Sequence, residues 1–108
     1  MYRREMPQNH GMLFIYPAPR LLSFWMKETY LTLDILFFDH ERRLINLFTN
    51  VRPCITLPCP KYRSRKEALY ALEIHGGTAL KLELEIGDKF TLEPREKPPI
   101  TAAFQTEQ

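Results

Sequence analysis

The stretch that decides the fold is Tyr30-Leu31-Thr32-Leu33-Asp34-Ile35-Leu36-Phe37-Phe38. Read with a period of two, Leu31, Leu33, Ile35 and Phe37 fall on one face, and Thr32, Asp34, Leu36 and Phe38 on the other. Both faces are largely apolar, which predicts a strand in the middle of a sheet with cover on both sides. Asp39-His40-Glu41-Arg42 then reads as a tight turn, and residues 43–50 resume with Leu44, Ile45, Leu47 and Phe48. The two runs predict a β-hairpin, although its turn lacks the Asn-Gly or Asp-Gly pair that favours the commonest hairpin turns.

Upstream, residues 21–27 form an apolar run centred on Phe24-Trp25-Met26. Before it, Met12-Leu13-Phe14-Ile15-Tyr16 is closed by Pro17, with Pro19 two residues on. Five residues are too few for a stable helix, so this run predicts a buried strand. Residues 1–11 are polar and read as a lead-in. Downstream, residues 51–64 carry Pro53, Pro58 and Pro60, which cannot donate ladder hydrogen bonds, and predict a long ordered loop. Residues 67–75 read as a strand that ends at Gly76-Gly77. Thr78 is placed to cap a short helix through Leu84 that would bury Ala79, Leu80 and Leu82. Gly87-Asp88 marks another turn, and residues 89–93 a last short strand. The expected organisation is a single β-rich domain over 1–93 and a flexible C-terminal tail over 94–108. The expected fold is mainly β (a β-rich α+β chain): a small closed or half-closed barrel-like sheet with one short helix near 78–84.

Composition bounds the function. The chain has 108 residues, 44% hydrophobic and 26% charged, the mix of an ordinary globular domain rather than a disordered one. Fifteen Lys and Arg against thirteen Asp and Glu leave a net charge of +2, too mild by itself to argue for nucleic acid as a partner. No run approaches the roughly 20 apolar residues of a membrane span. The chain as given opens on no charged-then-apolar leader. The two cysteines, Cys54 and Cys59, are too few for a disulfide scaffold, and either a short-loop disulfide or two thiols suits the spacing; the compartment stays open.

Several runs, taken in order, resemble one prokaryotic family. His10-Gly11-Met12-Leu13-Phe14, Ser23-Phe24-Trp25-Met26-Lys27 with Thr29, and Leu33-Asp34-Ile35-Leu36-Phe37-Phe38-Asp39 carry the first half. Cys59-Pro60 with Tyr62 and Ser64, Leu72-Glu73-Ile74 with Gly77 and Ala79, and Gly87-Asp88 carry the second. The set is similar to the family known as domain of unknown function 192, over about residues 1–93. The resemblance implies a compact, mostly β fold, no established activity, and relatives that often carry export signals. Glu28 stands where that family usually has Asn, and Glu83 where it usually has Gly. The resemblance also implies one more strand upstream of Met1. Without it a sheet edge would stay unpaired, which predicts self-association.

Candidate site residues are Trp25, Met26, Lys27, Asp34, Cys59 and Tyr62. Asp34 lies mid-strand, where a buried carboxyl must be paired or hydrogen-bonded. It reads either as a ligand-binding or acid/base group or, with more weight, as a satisfied internal acid that pins a loop. Trp25 and Met26 lie in a run too apolar for the surface and suit a pocket wall or plain core. Lys27 would set a cation at the rim, or lay its stem over the sheet. Cys59 and Tyr62 belong to the proline-rich loop, which with the 25–34 region would form the cleft. The C-x4-C spacing and the scattered His10, His40 and His75 argue against a metal site. Lys61, Arg63, Arg65 and Lys66 concentrate the positive charge, and with Tyr62 among them could hold phosphate or a stacked base. No catalytic triad order, phosphate-cradling Gly loop or dinucleotide fingerprint is present, and no cofactor is implied.

The sequence therefore does not name an activity. The leading expectation is a non-catalytic β-domain that binds a small molecule or a protein partner. The alternatives are a small enzyme using Asp34 or the Cys59 thiol, and anion or nucleic-acid binding through residues 61–66.

Overall fold

In the computed structural model, the described residues are 10–26, 29–91 and, for their backbone, 100–103. Among them seven strands and one short helix follow one another as β1 (Gly11–Arg20), β2 (Ser23–Trp25), β3 (Leu33–Phe38), β4 (Leu44–Val51), β5 (Lys61–Arg63), β6 (Ala68–His75), α1 (Thr78–Lys81) and β7 (Ile100–Ala103). They build a five-stranded sheet of order β4-β3-β6-β1-β7 and a two-stranded sheet of β2 and β5. The fold is mainly β with one short helix, as the sequence leads one to expect, but the barrel does not close: β4 and β7 end the strand order without pairing to each other.

β3 is buried at all six positions, because β4 and β6 flank it, both antiparallel, and both of its faces are covered. The hairpin turn replaces the missing Asn-Gly with two devices. Asp39 Oδ1 accepts from the Glu41 and Arg43 amides at 2.8 and 3.0 Å, and Arg42 takes the left-handed conformation at φ 66°. β1 runs on past the expected stop at Pro17. Its pairing with β6 shifts register between Ile15 and Arg20, so Pro17 and Pro19 sit where the ladder needs no donor from them. The proline-rich segment is not wholly a loop, since β5 lies within it and pairs Phe24 with Tyr62. Of the strand expected over 89–93, the described part forms an isolated bridge between Lys89 and Arg43. Of the segment expected as a tail, residues 100–103 are described and run parallel to the start of β1; 94–99 and 104–108 lie outside the described residues.

Two apolar clusters occupy opposite faces of the large sheet. The main one packs Met12, Phe14, Leu33, Ile35 and Phe37 against Leu22, Phe24 and Met26 beneath the two-stranded sheet. A file of edge-to-face rings, Phe14–Phe24–Phe37–Phe48–Tyr62, with centroids 5.2–6.4 Å apart, ties the two layers together. The second cluster, on the other face, holds Leu36, Phe38, Leu44 and Ala79 with Tyr70, Leu72, Leu84 and Phe90.

The helix is shorter than expected and buries only Ala79, leaving Leu80 and Leu82 exposed at 75% and 61%. Four residues make one turn, and one turn can bury one side. Thr78 is not its cap. Gly77 holds the N-cap position at φ 91° without a side chain to offer. At the other end the Leu84 amide donates to the Ala79 carbonyl and the Glu83 amide to the Leu80 carbonyl, with Glu83 at φ 55°. This is the Schellman arrangement, with a glutamate in the seat that favours glycine.

Candidate functional site

Asp34 supplies the helix cap that Gly77 lacks. The Asn50 and Gly77 amides donate to its Oδ1 at 2.8 and 3.0 Å, and the Ala79 amide donates to Oδ2 at 2.8 Å. The side chain is 0% exposed and lies on the Leu36 and Phe38 face of β3, under the first turn of α1. Three amide donors satisfy a buried carboxylate and fasten three separate segments, β3, the end of β4 and the β6–α1 turn. Asp34 lines neither of the cavities described below.

The other sequence-predicted residues divide among different places. Met26 is buried in the main cluster. Trp25 is half-buried on the outer side of the two-stranded sheet, opposite Lys61. Lys27 lies outside the described residues. Cys59 is joined to Cys54 in a disulfide, with Cα atoms 5.7 Å apart, so neither sulfur is a free thiol in this form. Tyr62 packs against the main cluster and, with Cys54, Pro53, Pro58 and Pro60, lines an open groove of about 520 Å³. The structure thus brings Tyr62 and the proline-rich loop together but turns Asp34 to the opposite face of the large sheet. Alternation along β3 is the cause: Leu33, Ile35 and Phe37 face the loop side, so Asp34 cannot.

The more enclosed hollow lies on that opposite face. It measures about 370 Å³ and sits between the large sheet and the chain from α1 to Phe90. Its floor is Leu36 and Phe38 of β3, Leu44 of β4, and Leu72 and Ile74 of β6. Leu82, Leu84 and Phe90 form the far wall, and His10, His75, Lys81, Asp88 and Lys89 also line it. Its size is at the small end of the range for ligand pockets, and its apolar floor with a few polar groups has their usual chemistry. The walls are held at fixed places. Asp34 anchors α1 from below. The Leu44 amide donates to the Asp88 carbonyl, the Gly87 amide to the Leu44 carbonyl, and the Phe90 amide to the Arg42 carbonyl, at 2.7–3.0 Å. Phe90 stacks edge-to-face on Phe38 and Tyr70, with centroids 4.6 and 5.1 Å apart.

Sequence reasoning missed this hollow, although β3 carried the signal. A strand apolar on both faces needs a second cover, and among the described residues that face is met by one helical turn and a short irregular segment. So small a cover leaves apolar floor open.

A third feature is electrostatic. Lys61, Arg63 and Arg65 are exposed, whereas Tyr62 is half-buried and Ser64 buried. Alternation along β5 puts Lys61 and Arg63 on one outer face, beside Trp25, and exposed Arg65 follows in the bend just past the strand. Their backbone is clamped. The Asn46 side chain donates to the Arg63 carbonyl and accepts from the Arg65 amide, at 3.0 and 2.9 Å. Ser64 Oγ accepts from the Leu22 amide at 2.9 Å. Among the described residues no group of three or more His, Cys, Asp or Glu is placed to hold a metal ion, and no helix is long and apolar enough to cross a membrane.

No curated protein matches the chain. Two solved structures are similar to it, each with a TM-score of 0.75 over 82% of this chain. One, from Sinorhizobium meliloti 1021, is 37% identical and is named as a candidate transcription regulator; the chain spans 67% of it. The other, from Novosphingobium aromaticivorans DSM 12444, is 35% identical and is described as a protein of unknown function; the chain spans 61% of it. The sequence profile of one family, the domain of unknown function 192 (Uncharacterized ACR), matches residues 1–92 of the 108, and it is to this family that the chain belongs.

Proposed function

We propose that this domain is a non-catalytic binding module that takes a small, mainly apolar ligand into the hollow between the large sheet and α1. The observation that carries the reading is the hollow itself: an apolar floor built on three neighbouring strands, β4, β3 and β6, open to solvent beneath exposed Leu82. Two further features support a binding role over catalysis. The Asp34 oxygens are already engaged by three amides, and the Cys59 sulfur is bonded to Cys54. The neutral fluorescent probe N-phenyl-1-naphthylamine tests the reading. We expect saturable binding to the wild-type chain, and at least a tenfold loss in Leu72→Trp, whose larger ring fills the floor. Ile74→Phe serves the same end if Leu72→Trp melts early. Equal probe affinity in a well-folded filled variant would exclude this hollow as the site.

A second reading is favoured by the clamped cation row Lys61, Arg63 and Arg65 beside Trp25. Exposed cations on and just beyond a short strand, with a flat ring alongside, suit the phosphates and bases of a single-stranded nucleic acid. The name of the Sinorhizobium meliloti structure points the same way.

A further inference from the structure

We infer that the ligand of the hollow is an amphipathic anion, an apolar body ending in a carboxylate or a comparable acidic head. The inference rests on the reading of the hollow as a binding site and adds the charge of what it holds. Its basis is the distribution of charge around an otherwise greasy cavity. Lys81, from the last turn of α1, and Lys89, from the segment beside β4, are both exposed and both line it, with His10 at the β1 end. Two lysines reach the mouth from different elements, so an entering head group would meet cations from two walls. Among the described residues the one acid in the lining is Asp88, and it is engaged locally, since its Oδ2 accepts from the Glu85 amide at 2.8 Å and closes the turn. The floor offers a head group no comparable partner, since Leu36, Phe38 and Leu72 carry only hydrocarbon and ring. An anion with an apolar tail therefore satisfies both halves of the site: the tail leaves water and the head stays at the wet, cationic mouth. A cationic amphiphile of the same size would bring like charges together there.

A matched set of ligands with one tail and three heads tests this: decanoate, decanol and decylammonium, titrated by calorimetry at low salt into wild-type protein and Lys81→Gln/Lys89→Gln. Both lysines are exposed, so the double variant should melt as the wild type does. We expect the dissociation constant for decanoate to rise roughly tenfold in the double variant, as two screened ion pairs would give. That for decanol should stay within about twofold, and decylammonium should bind more tightly to the variant than to the wild type. Added salt should weaken decanoate binding to the wild type alone. If decanol binds and the substitutions move decanoate and decanol alike, the anionic head is overturned while the hollow stands as an apolar site. If none of the three binds the wild-type chain, the hollow itself falls as a site, and the inference with it.

Discussion

At the scale of the residue, Asp34 shows how a buried polar group can be structural without being inert. Its carboxylate lies where β3 passes beneath α1, and it holds three backbone amides there. Removing it would strand those donors, two of them at the N-terminal end of a helix too short to hold itself. Charge-assisted hydrogen bonds contribute about 1.5–3 kcal/mol each and do not add fully, so Asp34→Ala should cost about 3 kcal/mol or more in chemical denaturation. Because α1 also carries Lys81 and precedes Leu82, the same change should weaken probe binding in the hollow. A loss below about 1 kcal/mol would mean that water or a shifted turn takes over the amides. The sequence made Asp34 conspicuous, since a carboxylate between Leu33 and Ile35 must be satisfied. It could not say by what, because the donors lie 16, 43 and 45 residues away.

At the scale of the element, α1 is a helix of four residues. One turn of helix has little propensity of its own, and its persistence depends on caps supplied from elsewhere. The C-terminal cap is imperfect, because Glu83 occupies the left-handed position at φ 55°. For a residue with a Cβ that conformation costs roughly 1–2 kcal/mol relative to the right-handed region. Glu83→Gly should therefore stabilise the domain by up to about 1 kcal/mol, part of the gain being offset by the greater freedom of glycine in the unfolded chain. A raised midpoint in urea with an unchanged slope would bear this out, and a lowered midpoint would refute it. The turn from β3 to β4 follows the same logic, with Asp39 doing by hydrogen bonds what an Asn-Gly pair does by conformation. The sequence located the β3–β4 turn; it ran the helix through Leu84, past the turn at Glu83, because Ala79, Leu80 and Leu82 suggested a buried face that one turn cannot provide.

At the scale of the whole molecule, the large sheet separates two surfaces with different chemistry. One face meets β2 and β5 and carries the main cluster; beyond those strands lie the cations of residues 61–66. The other face carries the hollow. The chain's net charge is only +2, and residues 61–66 alone contribute four positive charges, so everything else is net negative. That concentration of charge suits a polyanion approaching the exposed side of β5. If single-stranded nucleic acid binds there, Lys61→Gln/Arg63→Gln/Arg65→Gln should lower affinity for a thymine oligonucleotide and flatten its salt dependence. Trp25→Ala should weaken binding with the salt slope unchanged, as expected for the loss of a stacking platform. Salt-independent binding, or none at low salt, would remove this reading and leave the hollow unaffected.

The sequence by itself determined that this chain is mainly β, where most of its longer strands lie, that β3 is an interior strand, and where two of its turns fall. Those features are written in neighbouring residues: alternation, proline and glycine punctuation, and apolar content report directly on the local backbone. Only the tertiary structure decided that Asp34 caps α1, that Cys54 bonds Cys59, that Asp34 and Tyr62 stand on opposite faces, and that a hollow opens between the sheet and the segment up to Phe90. Each of these depends on which distant segments the chain path brings together, and on how far a short cover falls short of the apolar surface beneath it, neither of which any local pattern encodes.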